Sequence, residues 1–463
     1  MCKKIFEKNK SNLKIDNLVC DLNNLFKNHN NDITNLLEQK NIKIRNRKVS
    51  LTDALIYKFK NAEKYKTQNN TIDDYKMYNK ILCNNSCFIN KEHKIPLEYY
   101  ENIFNKITEI YYKYTNKTRY TIVAVDGTYN NTNYKNNRKL ETTLNMGYYD
   151  INNDIPLILD PIIDGRNNEI KSLIDGINNN SIIKADNIIF VCDRAYFSYD
   201  LMNYLNGNNS KFVIRIKNNC TYLETNKSKK TKNTKNIPNN TRFINYSFNK
   251  ESTRYLYNNK TKIEEKYRIT EKVNCNIATN LDESYTDEDI KNIYNSRWNI
   301  EEYFKLIKSN FKYSLMREHN KNTIDTYKKT FTIIKIYSVL EKIIELIDTE
   351  ITENHDEKYN VKINKTEVIN GLFKIIPKII SSNLDRDDLL IFFSIYVHLN
   401  YTIKNSHNPR ISKIPFTKWY VKVYHSKYDI EKIFEAYNSD EDDDIIINKN
   451  LKLKLQNYIF EKI

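Results

Sequence analysis

The 463-residue chain is long enough to bury a sizeable core and to hold about two to four structural units. Lys and Arg number 74 against 58 Asp and Glu, a net charge of +16 that points to a polyanionic partner and says nothing about fold. The longest apolar stretches, such as LLIFFSIYVHL (389–399), are too short to span a bilayer, and MCKKIFEKNKSNLKID has no signal-peptide core, which predicts an intracellular protein with no membrane partner.

The seven cysteines are odd in number and scattered, as in a reducing compartment. Cys83 and Cys87, followed by His93, approach metal-ligand spacing but lack a fourth ligand, so small buried thiols are expected there. Asn, Lys, Ile and Tyr dominate while Gly and Pro number 6 and 7. AT-rich codons would produce that bias, so part of the basic surface carries no functional information, and turn signals are blunted.

Residues 1–115 read as helices, with apolar residues recurring at three and four in NLVCDLNNLFKNH and VSLTDALIYKFKNAEKY. Thr52 is the expected N-cap of the second, and RNRKVS (45–50) sets three basic residues ahead of it. At 119 the pattern turns to strands. RYTIVAVDGT predicts a short strand ending at Asp126, followed by a loop, YNNTNYKNN. RKLETTLNMGYYD and DIPLILDPIID follow, joined by a polar turn at Asn152–Asn153. Residues 169–180 fit a helix. SIIKADNIIFVCDRAYFS predicts a buried strand ending in Asp193, then DLMNYLNGNN a helix and KFVIRIKNN a strand. Over 218–285 complexity falls: KSKKTKNTK (227–235) is a basic loop, and RFINYSFN, STRYLYNN and KYRITEKVN resemble short antiparallel strands. Thr286 and Asp289 form a capping-box signal for the next helix. KKTFTIIKIYSVLEKIIELI (328–347) predicts a long helix, the remainder is mostly helical, and DEDDD (440–444) is a solvated loop.

The helix after Thr286 is the most informative segment. Within IYNSRWNIEEYFKLIKSNFKY, Tyr294, Arg297, Glu301 and Lys308 fall inside a wedge of roughly 60°. Ile300, Phe304, Ile307 and Phe311 form the apolar stripe that seats the helix on a core. Arg297 suits bidentate phosphate contact, Lys308 a point charge, and Tyr294 a hydrogen bond or stacking. The competing account is a solvated face with Glu301–Lys305 as an ordinary i,i+4 pair. That account remains better for Glu302, Lys305 and Lys312, and Trp298 reads as packing.

Asp126 and Asp193 each close an apolar strand. Alone, such residues are more often turn or cap residues than ligands. Joined to Glu301 they form a set of hard oxygen donors able to gather Mg²⁺ and phosphate oxygens. No His/Cys cluster indicates a zinc hydrolase, and no GxxxxGK[ST] loop indicates an NTPase.

Tyr-x2-Arg-x3-Glu-x6-Lys, preceded by TNL (279–281), resembles the signature of DDE transposases of the insertion-sequence, Tyr-Arg-Glu-Lys, type. VAVDGT resembles the family's first-Asp block. VCDRAYFS followed by FVIRIK resembles its Asp-Arg-Gly-Tyr-Phe block, with Ala195 in place of the usual glycine. The likeness covers about 119–345. It implies an α/β (α+β overall) chain with an RNase H-like mixed five-stranded sheet, flanking helices, a β-rich insertion between Asp193 and Glu301, and helical N- and C-terminal regions. The implied organisation is a helical, DNA-binding N-terminal region (1–115), a first part of the catalytic core (116–217), the insertion (218–285), a second part of the core (286–347) and a helical region for dimerisation (348–463).

It also implies a cut-and-paste transposase. Asp126, Asp193 and Glu301 would be the catalytic carboxylates holding two Mg²⁺ ions, with Mn²⁺ as a substitute, and Tyr294, Arg297 and Lys308 would contact terminal DNA phosphates. Water would cleave at the element end, and the released 3′-OH would attack target DNA, with a hairpin as one excision route of the group. The implied partners are double-stranded DNA, both terminal inverted repeats and target, and a second copy in a homodimeric synaptic complex, in a nucleoid or nucleus. Two alternatives stay open: a domesticated transposase that binds DNA without cutting it, and an RNase H-like nuclease without strand transfer.

Overall fold

The computed structural model describes residues 9–43, 48–64, 66–115, 122–133, 140–161, 169–179, 188–216, 240–258, 263–315, 323–351, 359–397 and 399–403. The chain divides into two compact units, Met1–Ile244 with Asn276–Lys404, and Asn245–Cys275 with Asn405–Ile463. In the second, 245–258 and 263–275 belong to two long strands. The basic loop 227–235 and the acidic stretch 440–444 lie outside the described residues.

The first unit begins with helices α1 (Asn9–Phe26), α2 (His29–Gln39), α3 (Leu51–Lys60), α4 (Gln68–Asn79), α5 (Ser86–Glu92) and α6 (Leu97–Thr115). The cap of α3 is Ser50, not Thr52. Ser50 accepts from the Asp53 backbone N–H, and the Asp53 carboxylate accepts from the Ser50 N–H at 2.8 Å, so both orphan donors are satisfied.

Strands β1 (Ile122–Asn133), β2 (Leu140–Asp150), β3 (Ile155–Pro161), β4 (Ile189–Cys192), β5 (Lys211–Ile216), β6 (Arg242–Asn258) and β7 (Ile263–Thr279) form one mixed sheet in the order β3-β2-β1-β4-β5-β7-β6. β2 is antiparallel to β1 and β3, while β1, β4 and β5 run parallel. A mixed sheet agrees with the expectation, which was for five strands. The sheet has seven strands because the end of β7 pairs antiparallel with β5, Val213 opposite Thr279. Three short strands were expected over this stretch, and two of 17 residues each are found. Asp126 lies inside β1, not at its end: β1 runs on through Asn133, paired residue by residue with β2, so cross-strand bonding carries a run of Asn that has little strand propensity of its own.

The period of two along β1 sorts its side chains between two cores. Val123 and Val125 pack with Phe190, Cys192 and Leu201 beneath α7 (Glu169–Asn179) and α8 (Tyr199–Gly207). Ala124 packs on the opposite face with Ile300, Phe304 and the long helix α11 (Thr323–Ile351). Asp126 follows Ala124 in that alternation and therefore faces the second layer.

The Glu301 segment is two helices, α9 (Asp287–Ser296) and α10 (Trp298–Asn310), broken at Arg297. The expected Thr286–Asp289 capping box starts the first. At the break, Arg297 N–H donates to the Tyr294 carbonyl at 3.1 Å and Ile300 N–H to the Arg297 carbonyl at 3.2 Å, the tighter i,i+3 pattern. Further on, α12 (Lys365–Ile380) and α13 (Arg386–Tyr396) agree with the expected helices, whereas β8 (Tyr359–Ile363) and β9 (Leu399–Ile403) form an antiparallel ribbon in a region expected to be helical.

Gly147 sits opposite Asp126 in the β1–β2 ladder, and a Cβ there would stand 2.7 Å from Phe304 Cζ and 2.8 Å from its Cε1. Gly147→Ala is expected to destabilise the protein by about 1–3 kcal/mol through overpacking under α10. Gly207→Ala, where a Cβ would meet nothing within 4 Å, is expected to be neutral or slightly stabilising. Urea midpoints of the two variants check this, and equal midpoints would refute the close approach.

Candidate active site

Two neighbouring parallel strands place the two aspartates. Val125 is in register with Cys192, so Asp126 and Asp193 are the next residues along adjacent chains. β4 stops there because the Asp193 side chain accepts the Ala195 N–H at 2.7 Å and turns the chain into a 3-10 segment, Arg194–Tyr196. Asp193 thus does act as a cap, and Ala195 sits in a turn that an alanine adopts without strain.

Arg297, at the helix break, brings the third carboxylate to this point. Its guanidinium lies 3.6 Å from Asp126 Oδ2 and 2.5 Å from Glu301 Oε1, with only 12 % of its side chain exposed. Glu301 pairs with Arg297, and Lys305 pairs with Glu302 while lying 4.4 Å above the Trp298 ring, so the Glu301–Lys305 pair of the competing account is not formed. Trp298 is 43 % exposed and is not the packing residue expected. Tyr294 is buried, its ring centroid 5.9 Å from the Arg297 guanidinium carbon. Lys308 is half-buried on the same side and feels the Asp126 charge. Lys312 instead turns away to donate to Asn61 Oδ1 at 2.6 Å.

A fourth carboxylate was not anticipated. Glu169, in the first turn of α7, packs against the Asp126 strand so closely that a Cβ on Gly127 would lie 2.7 Å from its Oε1. The buried Tyr196 hydroxyl hydrogen-bonds it. The only hint in the sequence is the glycine directly after Asp126, which leaves room for an incoming group.

The electrostatics follow from this crowding. Burial pushes the Asp126 carboxyl up to about 7; Arg297 opposes the rise, while Asp193 and Glu169 add to it. Burial likewise raises Glu169, against the Tyr196 hydrogen bond. Burial works against the Arg297 charge, but Tyr294, Glu301 and Asp126 together hold its pKa above the ordinary guanidinium value. Burial lowers Lys308, and Asp126 partly restores it.

The donors are carboxylate oxygens, the chemistry that Mg²⁺ prefers. As placed, no group of three His, Cys, Asp or Glu side chains among the described residues is close enough to hold an ion. Arg297 stands between Asp126 and Glu301, and its Nε is buried without a hydrogen-bond partner. The donor set fits a divalent ion, and the guanidinium now supplies the positive charge.

Cys83 and Cys87 are not the buried thiols expected: the first is half-buried and the second exposed.

Residues 117–327, which contain Asp126, Asp193 and Glu301, match the family model described as Transposase DDE domain. That match supports a DDE transposase domain over this stretch. Among solved structures, the chain is similar to a piggyBac transposase in a synaptic complex with hairpin DNA, seen by cryo-electron microscopy, at 10 % identity and a TM-score of 0.38, over 93 % of this chain and 91 % of that one. No curated protein matches the chain. No helix among the described residues is long and apolar enough to cross a membrane.

The raised Asp126 pKa has a definite consequence for stability. A carboxyl raised from roughly 3.9 unfolded to about 7 folded contributes stability that is full below about pH 4 and lost as pH rises through about 7. Without divalent ions the protein is expected to lose on the order of 2 kcal/mol between about pH 5 and pH 8 from this group. In Asp126→Asn that fall should shrink. Thermal melts of both proteins in a chelator test it, and parallel pH profiles would refute it.

Proposed function

We propose that the chain is a cut-and-paste DDE transposase that cleaves DNA at element ends and joins the released 3′ end to target DNA. The observation that carries this reading is the in-register placement of Asp126 beside Asp193, with Glu301 tied to Asp126 through Arg297, inside the segment that matches the transposase domain. Asp126, Asp193 and Glu301 would hold two Mg²⁺ ions, or Mn²⁺ in their place, which when bound supply activation of the attacking oxygen and stabilisation of the leaving oxygen.

The remaining chemistry falls to the chain's basic and aromatic residues. Arg297, once its carboxylates are neutralised by another charge, would turn its fork to the phosphate being cut. Lys308, half-buried, would meet the same backbone as a point charge. Tyr294 would stack under the guanidinium and hold its plane. The N-terminal helices would recognise terminal inverted repeats, and the C-terminal region would pair two copies for synapsis.

The test is a paired cleavage and strand-transfer assay in Mg²⁺ on DNA carrying the element ends, which flank the gene. Glu301→Gln and Asp126→Asn are expected to lower both reactions by on the order of 10³-fold while DNA binding persists. A wild-type protein that binds and never nicks would favour a domesticated binding protein. Nicked but unjoined product would favour a nuclease of the same fold.

A further inference from the structure

A cleft of about 630 Å³ opens where α10, α11 and α12 meet the β2–β3 turn. Its charged lining is balanced in number: Lys305, Lys342 and Lys365 stand with Asp154, Glu302 and Glu341. Each of these lysines already has a carboxylate. Lys305 pairs with Glu302 at 2.6 Å, Lys342 with Asp154 and with Glu345 at 2.7 Å, and Lys365 with Asp154 at 3.8 Å. Glu341 differs from the other acids. It is 1 % exposed, and its Oε1 is buried without a hydrogen-bond partner among the described residues.

A carboxylate placed this way is costly to ionise. Burial pushes Glu341 up to about 7; Lys342 and Lys365 oppose the rise, while Glu345 and Asp154 add to it. The lysines give it no direct contact because the other acids hold them. Asp154 is the strongest competitor, since it accepts from Lys342 and also from the Tyr149 hydroxyl at 2.8 Å. The rest of the wall is largely apolar. Pro156 and Leu306 line it with Tyr149 and Tyr303, whose ring centroids are 5.3 Å apart at an interplanar angle of 33°.

We propose that this cleft binds a primary alkylamine, with its ammonium on Glu341 and its chain along Tyr149, Tyr303 and Leu306. An ammonium supplies both the N–H donor that Oε1 lacks and the charge that offsets the burial of a carboxylate. The tyrosine rings attract the same cation and pack on the methylenes. The lining lysines, each paired with an acid, leave no uncommitted cation for a phosphate or for the carboxylate of an amino acid. A metal ion fits less well, because no group of three His, Cys, Asp or Glu side chains among the described residues is close enough to hold one. The site is independent of the DNA chemistry proposed above, and a chain that never cuts DNA would keep it.

The experiment is isothermal titration calorimetry of the full chain carrying Asp126→Asn, which removes another carboxyl that burial lifts to about 7. 1,4-Diaminobutane is expected to bind at a single saturable site. Near neutral pH it should release a fraction of a proton, read from buffers of different ionisation enthalpy. Its affinity is expected to rise by about tenfold from about pH 6 to about pH 8 as Glu341 ionises. Glu341→Gln is expected to weaken binding by at least about tenfold and to abolish the proton release and the pH dependence. The control Glu38→Gln, which removes the same charge from an exposed helix position, is expected to leave all three unchanged. Equal losses in the two variants would reduce the effect to net charge and overturn the proposal. So would the absence of saturable binding, amine binding without proton release, or tighter binding of 4-aminobutanoate or inorganic phosphate. Should circular dichroism show Glu341→Gln unfolded, Ser309→Trp, at an exposed position lining the cleft, carries the same test, and unchanged amine affinity there would overturn it.

Discussion

The helix that carries Glu301 lies close to the sheet because Gly147 has no Cβ. Gly147 pairs with Asp126 across the β1–β2 ladder, and the Phe304 ring and the Ile300 side chain fill the space above it. The contact fixes the height of α10 over the one backbone position where height matters, beside the first aspartate. One turn of the same helix then decides which charges meet: with Ile300 and Phe304 committed to the core, Glu301 is directed toward Arg297. Packing places the helix, and electrostatics acts only within the geometry that packing leaves.

Within that geometry the dominant conflict is between like charges. Asp126, Asp193 and Glu169 act on one another, and Arg297 alone touches both Asp126 and Glu301. A guanidinium shared by two partly buried carboxylates is favourable only because each acid would otherwise pay for desolvation without a partner. The arrangement is therefore balanced, not deeply stable. A second positive charge near the acids would compete with Arg297 for them, while the Tyr294 ring stays beside the guanidinium. A helix break at Arg297 serves this balance: it frees the residue from the straight helical path and lets its side chain reach Asp126 on the neighbouring element.

Much of this was legible from local patterns. The strands around Asp126 and Asp193 announce themselves by runs of Val, Ile and Phe, and the apolar stripe of Ile300, Phe304 and Ile307 marks the buried face of α10. What stayed hidden depends on contacts between elements. The break at Arg297 has no Gly or Pro to signal it. β1 continues through Asn130 and Asn131 because β2 offers bonding partners, which a propensity reading cannot know. Glu169 looks like any acidic residue in a first helical turn, where it also suits the helix dipole, and only the chain crossing brings it to Gly127. Ser50 and Thr52 were both capable caps; Asp53 decided between them by closing the box on Ser50.

The same reasoning connects the N-terminal helices to the acidic site. Ser50 caps the near end of α3, and the residues after its far end are stitched to the far end of α10. Lys64 N–H donates to the Asn310 carbonyl at 3.1 Å, Lys312 N–H donates to the Ala62 carbonyl at 3.0 Å, and Lys64 Nζ reaches the Lys308 carbonyl at 2.7 Å. Glu63 and Phe311 form a β-bridge between these bonds. Backbone bonds of this kind tolerate little sliding, because each displaced donor or acceptor would be left unpaired in a buried setting. Phe311, fully buried against Tyr337 and Phe373, locks the junction from the core side. The N-terminal helices and the carboxylates are thus linked through two helices and one hydrogen-bonded seam.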